Sequence, residues 1–216
     1  MTLLVEDVER LRRQLGLGRV VVMGHSGNAY MALEYAKKYP ECASHVVMIG
    51  IAPDLSQASK ELADQNYQAL ADDGRLAAEQ QNMRAISDEE LEALPADQAL
   101  VRGYVRNAAR VWYDPRFDCT PLWEGVTINM DMFGYVWGKL FAEIDITRGL
   151  EHLNCPVFLA LGRYDFIVAP PSSWDEVKAR FKNLTIRIFE RSGHTPQFEE
   201  PDLFDRELLK WMKGTS

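Results

Sequence analysis

A serine set between a buried strand and a helix constrains this chain more than any other feature. Arg19-Val20-Val21-Val22-Met23 is a short β-branched apolar run, which reads as a buried strand. Gly24-His25-Ser26-Gly27-Asn28 follows at once. Ala29 to Tyr39 then supplies good helix formers up to a stop at Pro40. A turn of small residues is common by chance, but one joining a strand to a helix lifts its serine hydroxyl clear of the sheet. There Ser26 can attack an acyl carbon while the Gly27 N–H faces the developing oxyanion.

A serine nucleophile needs a base, and the base needs an orienting acid. The chain has four histidines. His25 lies inside the turn and reads as a packing residue, and His45 and His152 read as ordinary element ends. His194 sits in Arg191-Ser192-Gly193-His194-Thr195-Pro196, directly after the strand pattern Leu184 to Glu190. Loops at the carboxyl ends of strands are where open α/β sheets place their chemistry, so His194 is the candidate base. Val157 to Leu161 is another buried strand and runs into Gly162-Arg163-Tyr164-Asp165, which places Asp165 at a comparable strand end. Asp165 is preferred as the acid. Asp54, after the strand His45 to Gly50, is the alternative, although it equally suits the start of the next helix.

Four near-continuous apolar runs, at about 19–24, 45–51, 156–162 and 184–190, predict a parallel sheet buried on both faces. About a hundred residues separate the second run from the third, far more than one crossover helix needs. Residues 55–147 are therefore expected to form a helical cap, with 1–54 and 148–216 as the α/β core. The cap's first part is rich in Ala, Glu, Asp and Leu, and Ser87-Asp88-Glu89-Glu90 reads as a capping box. Its second part is aromatic and is expected to wall the site, with Phe133, Tyr135 and Trp137 as candidate substrate contacts.

Composition narrows the function classes. With 47% hydrophobic and 26% charged residues, the chain has the makings of a globular enzyme. A net charge of −8 without a basic stripe argues against nucleic acid. No apolar run approaches the ~20 residues that span a bilayer, and the acidic, amphipathic first residues do not read as a signal peptide. Cys42, Cys119 and Cys155 have no metal-ligand spacing and suit reduced thiols in a cytoplasmic protein. No metal and no cofactor are expected, and a small molecule or short peptide is the expected substrate.

The serine turn, Leu161 to Asp165, and Ser192-Gly193-His194-Thr195-Pro196-Gln197-Phe198-Glu199-Glu200-Pro201 together resemble the α/β-hydrolase superfamily, near its proline iminopeptidase-like branch. The chain order Ser26, Asp165, His194 is the order expected there. The resemblance implies Ser26 as nucleophile, Asp165 as acid, His194 as base and the Gly27 amide as an oxyanion donor. It also implies acidic cap residues that hold a substrate amine, for which Asp131 and Glu143 are the candidates.

Two departures stand out. Asn28 replaces the last glycine of G-x-S-x-G, so helix and strand must separate slightly or Asn28 must turn outward. No His-Gly loop precedes Ser26 to donate the second oxyanion N–H, and the chain reads as the carboxyl-terminal two thirds of such a hydrolase, a truncated version of the fold. The Asn28 amide or a partner chain is the candidate replacement. The competing reading is a non-catalytic or assembly-dependent fragment. Losing one donor typically costs about 10²–10³ in turnover, which leaves a working enzyme. An elbow strand unpaired on one side would expose an apolar edge at Val20–Met23, so a homodimer or higher assembly is expected to cover it, through an interface above roughly 2,000 Å².

Overall fold

A computed structural model describes residues 1–215. Strands Val20–His25 (β1), Ala43–Ile49 (β2), Val157–Gly162 (β3) and Leu184–Phe189 (β4) form one parallel sheet in the order β1-β2-β3-β4. Each falls on one of the four apolar runs. β3 is buried at all six positions and β2 at six of seven, as strands covered on both faces must be.

Alternate residues of the central strands feed two cores. Val46, Met48, Val157, Leu159 and Leu161 join Tyr30, Leu33 and Tyr35 of the helix Gly27–Lys38 (α2) on one face. Val47, Ile49, Phe158, Ala160 and Phe189 meet Phe204 and Trp211 of the carboxyl-terminal helix Pro201–Thr215, which covers the other. The first helix, Thr2–Gln14 (α1), is fastened to α2 by a buried carboxylate. Glu9 accepts the Tyr35 hydroxyl at 2.7 Å and a fork from Arg12 at 2.8 and 2.9 Å. Those bonds, led by Arg12, hold the Glu9 carboxyl well below the ordinary carboxylate range against the cost of burial.

Among the described residues β1 pairs only with β2 and is an edge strand. Val20 and Val22 pack partly on the α2-side core, whereas Val21 and Met23 point away from it and are 39% and 50% exposed.

Between β2 and β3 the chain is mainly helical: Gln57–Leu70 (α3), Asp73–Ala85 (α4), Asp88–Ala93 (α5), Ala96–Arg106 (α6), Ala108–Val111 (α7) and Met130–Tyr135 (α8), the last running into a π turn at Val136–Leu140. Side-chain caps explain several starts. Ser56, Asp72, Ser87 and Asn129 each accept an N–H from the first turn that follows. At Ser87 half of the expected box forms: Ser87 Oγ accepts the Glu90 N–H, but the Glu90 carboxylate turns to Arg102 at 2.8 Å.

Candidate active site

Ser26 sits on the sharp turn between β1 and α2 with φ 55° and ψ −136°, and is the one non-glycine residue with positive φ among the described residues. Such a conformation costs on the order of 1–3 kcal/mol and persists where the surroundings impose it. Here the surroundings are visible. Ser26 N donates to Ile49 O at 2.8 Å, and a Cβ on Gly24 would lie 2.1 Å from Asn28 O, so only glycine lets the helix start against the strand. Asn28, in the place of the third glycine, is exposed and lines the cavity beside Ser26. Gly27 opens α2, and its N–H, like those at the start of any helix, has no partner within the helix.

His194 and Asp165 meet at 2.8 Å between Nδ1 and Oδ2, and both are buried, at 5% and 4% exposure. Asp165 comes from the turn after β3 and His194 from the loop after β4, so the strand ends bring them together across 29 positions. Asp54 goes elsewhere: its Oδ1 accepts Ser56 N at 2.8 Å and Ser59 Oγ at 2.7 Å, organising the start of α3. His25 is more than packing. Its Nε2 lies 2.9 Å from His194 O and its ring centroid 4.8 Å from that of His194. Burial first, then the neighbouring His194, pull its pKa down to about 4. Ser26 and His194 line one cavity, yet among the described residues no hydrogen bond joins them. Contacts of this kind are often long without substrate and tighten in the complex.

That cavity holds about 650 Å³. Phe133, Trp137 and Phe141 line it, together with Met132 and Val136 from the same segment. Tyr135, Asp131 and Glu143 do not; all three are exposed. The reason is helical spacing: 132, 133, 136 and 137 share one face of α8 and its π turn, which leaves 131 and 135 on the opposite face. Phe141 seals the floor, since a Cβ on Gly27 would lie 2.2 Å from its ring.

The sequence reading missed the parts that hold the site together. Glu199 ends the short helix Pro196–Glu199 (α9). Its Oε2 accepts Gly193 N at 2.8 Å, Thr195 N at 3.2 Å and Thr195 Oγ1 at 3.1 Å, while Oε1 accepts Tyr113 N at 2.7 Å. One carboxylate thus grips both flanks of His194 and the Tyr113 backbone. Burial pushes its pKa above the ordinary range despite these donors. His194 N donates to Val111 O at 2.7 Å, and Phe166 N, beside Asp165, donates to Arg110 O at 3.0 Å. The segment 110–113 therefore holds the His194 loop and the Asp165 loop together. Arg75, buried in α4, braces that segment through the carbonyls of Ala109, Trp112 and Tyr113. Glu199 lies in the stretch Ser192 to Pro201, and Arg75 in a helix of mixed polar residues, and neither carries a local signal of these contacts.

Among the described residues no group of three or more His, Cys, Asp or Glu could hold a metal ion, and no helix is long and apolar enough to cross a membrane. Cys42, Cys119 and Cys155 are free and buried. A family model described as alpha/beta hydrolase fold matches residues 1–201. The chain is 36% identical over 212 residues to the AB hydrolase superfamily protein YclE of Bacillus subtilis (strain 168), covering 95% of this chain and 73% of that protein. It is 24% identical over 213 residues to a proline iminopeptidase of Heyndrickxia coagulans, covering 92% and 68% respectively. Among solved structures, an alpha/beta fold family hydrolase from Bacillus anthracis str. Sterne superposes with a TM-score of 0.61 at 22% identity, over 94% of this chain and 70% of that one.

Proposed function

The chain belongs to the α/β-hydrolase fold family, and from that premise we propose that it is a serine hydrolase working through Ser26, His194 and Asp165 on a small ester, amide or amino-terminal peptide bond. The observation that carries the reading is the buried His194–Asp165 pair, which opens onto the same cavity as the strained Ser26.

The chemistry follows from the donors and acceptors present. With Nδ1–H donated to Asp165, neutral His194 presents Nε2 as a base, able to take the Ser26 proton as Oγ adds to the carbonyl carbon. The new oxyanion accepts the Gly27 N–H at the positive end of α2. Collapse breaks the bond to the alcohol or amine, which leaves with the proton held by His194. Water, deprotonated by the same imidazole, then splits the acyl-enzyme and restores Ser26. Asp165 stays ionised throughout and stabilises the transient imidazolium.

Steady-state kinetics of Ser26→Ala, His194→Ala and the double variant test this. Each single substitution should remove at least about 10³-fold of kcat, and the pair should cost scarcely more, because the residues act as a unit. Additive losses, or a Ser26→Ala enzyme with unchanged turnover, would overturn the proposal.

A further inference from the structure

The walls of the cavity beside Ser26 restrict which substrates it can hold. Away from the catalytic groups they are formed by Trp123, Val126, Ile128, Met132, Phe133 and Trp137 with similar neighbours, and among the described residues no Asp, Glu, Lys or Arg lines the space. The polar liners beyond the catalytic groups, Asn28, Tyr104, Thr127, Asn129 and Thr195, are uncharged, and two of them are committed. Asn129 Oδ1 accepts Met132 N at 2.9 Å, and Thr195 Oγ1 donates to Glu199. The nearby carboxylates are engaged too: Asp165 by His194, and Glu199 by three backbone N–H groups and a hydroxyl. Asp131 and Glu143, the two acids expected to receive an amine, are exposed and outside the cavity.

We infer that this site selects neutral esters with an apolar acyl chain and discriminates against substrates whose acyl part carries an ammonium into the cavity. The inference rests on the serine-hydrolase reading and sharpens it by removing amino-terminal peptides from the substrate range. An ammonium entering this space sheds water and finds no carboxylate to replace it, a penalty that good pairing alone could offset. An apolar chain gains roughly fourfold in binding for each methylene withdrawn from water. The volume of about 650 Å³ accommodates such a chain together with an aryl leaving group.

The test uses p-nitrophenyl esters of acetate, butanoate, hexanoate and 6-aminohexanoate, with L-prolyl p-nitroanilide, on the full chain, together with a fluorophosphonate probe. From acetate to hexanoate kcat/KM should rise on the order of 100-fold, as four further methylenes are buried. The 6-aminohexanoate ester should fall below hexanoate by at least roughly 100-fold, and the prolyl anilide should be turned over more slowly still. Met132→Glu, which adds a carboxylate to a half-exposed wall position, should narrow the hexanoate to 6-aminohexanoate ratio at least about tenfold. Labelling at Ser26 together with equal use of the two six-carbon esters, preference for the prolyl anilide, or a ratio unmoved in Met132→Glu would overturn the specificity inference alone. Failure of the probe to label Ser26 would overturn the reading beneath it.

Discussion

Replacing Glu199 should loosen the base without touching it. Its carboxylate satisfies the backbone N–H groups of Gly193, Thr195 and Tyr113 and the Thr195 hydroxyl, in a half-buried position between the base loop and the cap. Glu199→Ala leaves three backbone donors without that partner. An orphaned buried donor costs about 1–3 kcal/mol, but Tyr113 is partly exposed and water can reach it, so about 2–4 kcal/mol in all is expected. For a chain of this size each kcal/mol moves Tm by roughly 2–4 °C, which predicts a fall of about 5–15 °C. Glu199→Gln is the informative partner. Its amide oxygen can keep the Gly193 and Thr195 donors, while its NH₂ faces the Tyr113 N–H and loses the cap contact, so about 1–2 kcal/mol should go. Activity should separate the variants further. A displacement of about 1 Å can cost 10²-fold in rate, so Glu199→Ala should lose at least tenfold in kcat with a smaller change in KM, and Glu199→Gln should retain most of it. Differential scanning calorimetry and ester kinetics make the check. A Glu199→Ala protein with Tm and kcat indistinguishable from the parent would refute the claim that this carboxylate positions His194.

Three further outcomes follow. Gly27→Ala drives a methyl into the Phe141 ring, and the resulting displacement of the cap floor should lower stability by about 1–3 kcal/mol and raise KM, measured by urea unfolding and ester kinetics. His25 has a folded-state pKa of about 4, below its ordinary 6.5, so from pH 6.5 downward the unfolded chain takes up a proton that the folded chain refuses; about 2 kcal/mol of stability should be lost by pH 5, and His25→Gln should flatten that limb in urea titrations at pH 7 and pH 5. The exposed edge of β1 is proposed to pair with a second copy of the chain, so light scattering at micromolar concentration should give a dimer and Met23→Lys should weaken it; a stable monomer would contradict the pairing.

The elements legible in the sequence were those whose signal is local. Val20 to Met23, His45 to Ile49 and Val157 to Leu161 are apolar runs, and Leu184 to Phe189 an alternating one, long enough to be strands and too short to be helices, and the parallel sheet uses all four. Gly24 and Gly27 marked a turn with no room for a Cβ, against the Asn28 backbone at the first and the Phe141 ring at the second. What stayed hidden depends on contacts between distant segments. Nothing local to Glu199 says that it will reach Tyr113, 86 positions earlier, and nothing in α4 says that Arg75 will fold inward onto three carbonyls. Tyr135 and Asp131 were misplaced for a simpler reason. Aromatic content marked the right segment, but it does not say which face of α8 turns toward the cavity; the structure turns 132, 133, 136 and 137 inward.

The central claim is that Ser26 is a nucleophile activated by His194. Reaction with a fluorophosphonate, followed by mass spectrometry of the digested protein, tests it most directly. The account predicts one phosphonyl adduct, on the peptide carrying Ser26, absent from Ser26→Ala and formed at least about 10²-fold more slowly in His194→Ala, since the hydroxyl is a weak nucleophile without its base. An unlabelled protein, an adduct on another residue, or a labelling rate indifferent to His194 would contradict it.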